Sequence, residues 1–294
     1  MILRARGRVI TFPRRPLIMG IVNLNDDSFC ADGTLDPDAA LTQAQAMTAA
    51  GADIIDAGAE SARTNRPAIS VDEECRRLLP FIARWKAWAL TLPAEPPVPG
   101  QVWPPLLSIN SWRPEVAAAV LPAGGDILND LSALPDDRNA RLCAQHGVAL
   151  LIMHSRGLPK EKHTHVAYPD IMEELDSFFR DRLRTAAEAG LDSEATVLDP
   201  GLDFAKQRPD NLRILREMER LHIFQRPILL PVSRKTVIGE VLCLPDPLDR
   251  DPGTLACLVA GQLRGAHIFR VHNVEAAVSA VRVVEAVRLS AAPQ

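Results

Sequence analysis

One feature constrains the fold more than any other: a regular alternation of two kinds of segment. Short apolar runs recur along the chain, namely LIMGIVN (17–23), ADIIDAGA (52–59), LLSIN (106–110), DILND (126–130), ALLIMH (149–154), TVLDPG (196–201), PILLPVS (227–233) and HIFRVH (267–272). Each has the length of a buried strand, and none alternates cleanly between apolar and polar, as expected of parallel strands covered on both faces. Longer amphipathic stretches lie between them. Ser70 followed by Glu73 reads as a capping box ahead of VDEECRRLLPFIARW, and Asp36-Pro37 as an N-cap with proline at the first helical position. DIMEELDSFFRDRLRTAAEAG runs to a C-capping Gly190, and NLRILREMERL, LACLVAGQLRGA and VEAAVSAVRVVEAV complete the set. Eight strands and eight helices in β-then-α order require parallel strands with right-handed crossovers. Eight such units close into a (β/α)8 TIM barrel. A doubly wound sheet is the competing architecture and ordinarily has fewer units.

Two segments stand outside the repeat. Residues 4–16 include RVITF, which alternates like an exposed strand and predicts a short N-terminal β-ribbon. Residues 91–105, TLPAEPPVPGQVWPP, are proline-dense and predict an extended surface link. With 294 residues and 47% hydrophobic content, the chain can bury one large core, and residues 1–294 read as a single barrel domain.

The bulk properties narrow the function. A net charge of -4 and a pI near 6.0 give no basic footprint for nucleic acid. Local basic groups still permit an anionic small-molecule substrate. The five cysteines, at 30, 75, 143, 243 and 257, are dispersed and odd in number, as in a protein with reduced thiols. No stretch approaches the ~18 uncharged apolar residues of a membrane span, and MILRARGRVITF lacks the apolar core of a signal peptide. The expectation is a cytoplasmic protein without membrane contact.

In such barrels the active site lies at the C-terminal ends of the strands. Strand one ends on Asn23. Strand two carries Asp56, then Glu60, Ser61 and Arg63. Strands three and four end on Asn110 and on Asn129 with Asp130. His154, Asp199, the Ser233-Arg234-Lys235 run, and Arg270 with His272 follow from strands five to eight. Taken singly, each has a bland explanation: an asparagine caps a turn, His154 is a satisfied core residue, an arginine makes a surface ion pair, and Asp199-Pro200-Gly201 is a turn. Together, polar groups from all eight units on one rim point to a ligand, because buried polar groups are costly without partners. Asn110, Asn129 and Asp199 offer the donors and acceptors that a fused heterocycle with an amide and an exocyclic amine requires, and Lys235 can donate to a ring carbonyl or nitrogen. Arg63, Arg270 and His272 suit an anion such as phosphate. Asn23 is an oxygen ligand of the kind Mg2+ accepts alongside phosphates.

These stretches resemble dihydropteroate synthase over about residues 15–290: IMGIVNLNDDSF, GADIIDAGAESAR, LLSINSWRPEVA, GGDILNDLSAL, LLIMHSRG, VLDPGLDF, PVSRK and FRVHN occur in the family's order. The resemblance implies the same barrel and a transferase of folate synthesis. It would join 4-aminobenzoate to 6-hydroxymethyl-7,8-dihydropterin diphosphate and release pyrophosphate. It implies that Asn110, Asn129, Asp199 and Lys235 hold the pterin, that Arg63, Arg270 and His272 hold the diphosphate, and that Mg2+ sits near Asn23. Phe204, Lys235 and Thr236 would border the aminobenzoate, and Asp27 would belong to a first loop closing over the leaving group. Asn110, Lys235 and Asp27 would carry catalysis. The family is commonly dimeric, and the amphipathic final helices offer a face for a homodimer.

The chain also departs from the family pattern. Asn110 stands where aspartate is usual, which removes a negative charge beside the pterin and predicts slower chemistry, with Asn110→Asp raising kcat. The second loop reads ESARTNRP instead of ESTRPG, and the first has Asn25 and Asp26 for Thr and Pro. Asp203 and Ala205 replace glycines of a DPGxGFGK pattern that keeps Lys206. Asp203 would add a charge on the aminobenzoate side, and it or Asp26 could restore the lost one. A paralogue using another arylamine, and a pterin-binding protein with little turnover, are the alternatives. A methyltransferase on the same barrel fits poorly with the SRK and RVH stretches.

Overall fold

The computed structural model describes residues 1–26, 33–61, 67–157, 159–161 and 166–290. Eight parallel strands form one sheet: β3 (Leu17–Asn23), β4 (Ile54–Gly58), β5 (Leu106–Asn110), β6 (Ile127–Asp130), β7 (Ala149–Met153), β8 (Thr196–Asp199), β9 (Leu229–Leu230) and β10 (Ile268–Val271). The order is β8-β7-β6-β5-β4-β3-β10-β9. The two ends of this sheet meet at a parallel bridge between Leu198 and Ile228, where the Leu198 N–H donates to the Pro227 carbonyl at 2.9 Å, and the ring closes as a TIM barrel. β9 is shorter than the run PILLPVS suggested. Pro227 and Pro231 lack the N–H that a longer ladder needs.

The crossovers are α1 (Pro37–Ala49), α2 (Val71–Ala89), α3 (Pro114–Val120), α4 (Arg138–His146), α5 (Ile171–Glu188), α6 (Arg208–Glu217), α7 (Thr236–Leu242), α8 (Asp251–Leu263) and α9 (Val274–Ser290). Among the described residues there are nine α-helices, one more than the repeat predicted, because α7 and α8 both follow β9. The Asp36 carboxylate caps α1 by accepting the Asp38 N–H at 2.9 Å, and Gly190 follows α5 with φ +85. The capping box of α2 is half made. Ser70 Oγ accepts the Glu73 N–H at 3.1 Å, but the Glu73 carboxylate binds Arg76 and Arg77 instead of reaching back.

The ribbon forms as an antiparallel hairpin of β1 (Ile2–Ala5) and β2 (Arg8–Thr11). It is not exposed on both faces. Leu3, Ala5, Ile10 and Phe12 are buried against Leu17, Met19 and Leu151 and stopper the N-terminal end of the barrel. Burial of each large aliphatic side chain there contributes about 1.5–3 kcal/mol. Asp53 ties this floor together, accepting from the Ile18 N–H at 2.8 Å, the Val102 N–H at 2.8 Å and the Arg15 guanidinium at 2.9 and 3.0 Å. The proline-dense link has no helix or strand from 92 to 105, but its end is anchored: Gln101 Nε2 donates to the carbonyls of Ala52 and Thr48 at 2.6 and 3.0 Å. With one end sealed, the polar rim at the other end is left as the mouth.

Candidate active site

The organising group at this mouth is Asp56, inside β4 and fully buried. Its carboxylate accepts from Ser108 Oγ at 2.6 Å, Asn110 Nδ2 at 3.3 Å, Asn129 Nδ2 at 3.1 and 3.2 Å, and Arg270 Nε at 2.7 Å. Strand register explains the convergence, since Asp56 lies beside Ser108, Gly58 beside Asn110, and Asn110 beside Asn129. Gly58 leaves room for this, as a Cβ there would come within 3.2 Å of the Asn110 Cβ. The carboxylate also fixes the amides' orientation. Each turns its NH2 toward Asp56, so each Oδ1 points away, and both Oδ1 atoms are buried with no hydrogen-bond partner among the described residues. A buried acceptor left unmade costs about 1–3 kcal/mol. A ligand with N–H groups would satisfy both.

Across the mouth, Asp199 is 3% exposed and accepts the Gly201 N–H at 2.7 Å. Burial pushes its carboxyl up to about 6, against the pull of that N–H and of Lys235 and Lys206. The half-buried Lys235 has its ammonium 4.7 Å from the centre of the Phe204 ring. Burial lowers its pKa, while Asp203 and Asp199 hold it up. Thr236 is exposed next to it and opens α7.

Asp203 does not point freely into this space. Its carboxylate accepts the N–H groups of Thr236 and Val237 and Asn211 Nδ2 at 3.1 Å, so it caps α7 from another loop. Asp203 and Ala205 have φ of 66 and 50. Both keep the left-handed backbone that glycine would favour. Asp26 is exposed at the end of the described part of the first loop.

The loop carrying these groups is built on Lys206. Its buried ammonium donates to the carbonyls of Gly201, Phe204 and His154 at 2.9, 3.0 and 3.1 Å, and contacts His154 Nδ1 at 2.7 Å. Burial draws the lysine down to about 7. Burial and then Lys206 hold His154 near 4, so the ring is neutral, with Nδ1 accepting and Nε2 facing Glu174 at 3.4 Å. His154 is therefore a satisfied core residue, as its bland reading had it. Gly201 is required here, since its φ is +68 and a Cβ would lie 1.9 Å from the His154 carbonyl oxygen.

The remaining rim residues divide. Arg270 is held through Nε, and its side chain is 23% exposed at the mouth. The His272 N–H donates to Ser233 Oγ at 3.2 Å, and its Nδ1 lies 2.8 Å from the same hydroxyl, which joins the ends of β9 and β10. Arg234 is a structural ion pair with Asp251 at 2.7 and 3.0 Å, and Asp130 is spent on Ser132 and Asn139. Glu60 pairs with Arg113 at 2.6 Å and accepts the Ile69 N–H at 3.1 Å, fixing the far end of the second loop. Asn23 ends β3 next to Gly58. Asp27 and Arg63 lie outside the described residues. Thus Asn110, Asn129 and Arg270 meet on Asp56, while Asp199, Lys235, Phe204 and Thr236 face them.

Comparison with known proteins agrees with this arrangement. Residues 19–272 match the family model described as pterin binding enzyme. The dihydropteroate synthase of Escherichia coli (strain K12) is 35% identical over 275 residues, 92% of this chain and 91% of that protein. Among solved structures, the Yersinia pestis dihydropteroate synthase with a sulfonamide drug complex superposes with a TM-score of 0.87 at 33% identity, covering 99% of this chain and 100% of that one. The Xanthomonas albilineans dihydropteroate synthase with 4-aminobenzoic acid gives 0.85 at 32% identity, with both chains fully covered. The barrel thus defines a pterin-binding transferase. The chain belongs to the dihydropteroate synthase family.

Proposed function

We propose that this protein condenses 6-hydroxymethyl-7,8-dihydropterin diphosphate with 4-aminobenzoate, giving dihydropteroate and pyrophosphate in folate synthesis. The observation that carries this is the pair of orphaned acceptors, Asn110 Oδ1 and Asn129 Oδ1, opposite Asp199 and Lys235. The pterin's amide and exocyclic amine supply N–H donors for the acceptors, and its ring oxygen and nitrogens accept from Lys235. Arg63, Arg270 and His272 take the diphosphate. Phe204, Lys235 and Thr236 border the arylamine, and Asp27 acts from the first loop.

Loss of pyrophosphate leaves a cationic pterin methylene, which the aniline nitrogen attacks and then loses a proton. Arg270 stabilises the departing anion, while Asp199 and Asp56 supply the negative potential that favours the cation. With an amide at position 110, Asp56 and Asp199 carry that charge between them. Asn23, half-buried at the C-terminal end of β3, would offer its amide oxygen to Mg2+. Among the described residues no group of three or more His, Cys, Asp or Glu side chains forms a metal cage, and Mg2+ prefers few protein oxygens beside substrate phosphates. Bound there, the ion would neutralise charge on the leaving diphosphate.

No described helix is long and apolar enough to cross a membrane. The described cysteines are all free thiols, which supports a cytoplasmic setting. Residues 1–294 act as one domain. Exposed Leu263, Val283, Val287 and Leu289 on α8 and the C-terminal half of α9 support a homodimer. Dihydropteroate, identified by mass after incubation with both substrates and Mg2+, is the expected product. Unreacted pterin would refute the assignment.

Asp199 also sets a pH limit. Its carboxylate must be ionised to accept the ligand's N–H, and its pKa is pushed up to about 6. kcat/KM should therefore fall about tenfold per pH unit below that point. The Asp199→Asn variant should be slow with no such limb, and a wild-type profile flat down to pH 5 would contradict the assignment.

A further inference from the structure

We propose that Asp203 is a specificity-determining residue of the acceptor subsite, sorting arylamines by the charge of the group opposite the amine. This rests on the synthase reading above. The amine is the nucleophile, so it must point inward toward the pterin methylene near Asp199 and Lys235. The substituent para to it must then point outward, past Phe204 and Lys235, to the mouth where Thr236 is exposed and Asp203 half-buried.

Asp203 cannot swing out of the way. Its carboxylate holds the Thr236 and Val237 N–H groups and Asn211 Nδ2, and its own N–H donates to Asn211 Oδ1 at 2.9 Å. Its left-handed backbone, φ 66, is one that L residues other than Asn and Asp rarely adopt. The position is therefore over-determined: the hydrogen bonds hold a carboxylate where the backbone would favour glycine.

Two consequences follow for an arylamine. The N–H groups that an anionic substituent would use are already occupied. The same carboxylate keeps a fixed negative charge at the N-terminus of α7, beside the outlet this substituent would take, and the Lys235 ammonium, which interacts with both Asp203 and Asp199, offsets it only in part. A neutral substituent carries no charge for Asp203 to repel, and the carboxylate oxygens are already engaged by Thr236, Val237 and Asn211. Asp203 thus weakens binding of the carboxylate end of 4-aminobenzoate and spares its neutral amide.

The test compares wild type, Asp203→Asn and Asp203→Gly, with 4-aminobenzoate and 4-aminobenzamide as acceptors, by pyrophosphate release. Glycine suits φ 66 and guards against a misfolded asparagine variant. The KM for 4-aminobenzoate should fall about tenfold in both variants. kcat, and the KM for 4-aminobenzamide, should stay within about twofold. Parallel changes in both KM values, or an unchanged or raised KM for 4-aminobenzoate, would overturn the proposal. Wild-type enzyme that releases pyrophosphate with neither amine would overturn the synthase reading and this inference together, a result distinct because it precedes any variant comparison.

Discussion

Replacing Asp56 with asparagine should lower kcat/KM about a thousandfold, the largest loss expected from a single isosteric change in this protein. The reason is geometric. One carboxylate accepts from four side chains, at 2.6 to 3.3 Å, and all four come from other strands. An amide offers one oxygen and adds a donor of its own. Arg270 loses its charge partner, and Asn110 and Asn129 lose the group that turns their oxygens to the ligand. Each mispaired buried group costs about 1–3 kcal/mol, so about 4 kcal/mol in sum is reached without unfolding the barrel. Steady-state kinetics and pterin calorimetry check it together. The expectation is loss of both turnover and pterin affinity. Wild-type affinity with less than tenfold slower turnover would mean the amides are oriented without Asp56.

The second large effect is on stability. Lys206→Met should destabilise the protein by about 3 kcal/mol, because it strands the carbonyls of Gly201, Phe204 and His154 and leaves His154 Nδ1 without its donor. For a chain of this size that corresponds to a fall in Tm of about 6–10 °C. Activity should fall as well, since the loop that loses its centre links Asp199 to Phe204. A thermal melt checks the first part. An unchanged Tm would show that the loop holds its shape by backbone conformation alone.

Much of the barrel was legible because a closed parallel sheet imposes its own pattern: continuous apolar runs at the strands, caps at the helices. The rim could be read for the same reason, as strand ends are visible in sequence. Asp56 reads from the sequence as one rim residue among several and not as the centre of the rim. It sits within an apolar run, and its partners lie 52, 54, 73 and 214 residues away. Only strand register brings them together. A charged residue inside a buried strand was the available signal. Asp203 was legible as a departure, but not as a cap on α7, because Thr236 and Val237 reach it across 33 and 34 residues. The β-ribbon is legible in the alternation of RVITF, with Val9 exposed and Ile10 and Phe12 buried, but nothing local reveals that its buried face stoppers the barrel floor. The half-made capping box of α2 has a local cause, since Arg76 and Arg77 compete for Glu73 within one turn.

The most direct test is pyrophosphate release by the purified protein with dihydropterin diphosphate and Mg2+, measured with and without 4-aminobenzoate. The amide at position 110 removes one negative charge, but Asp56 and Asp199 remain at the pterin. Release should therefore require 4-aminobenzoate and match dihydropteroate formation one for one. Pterin binding without release would contradict this, and would mean that the carboxylates at 56 and 199 cannot replace the one absent at 110.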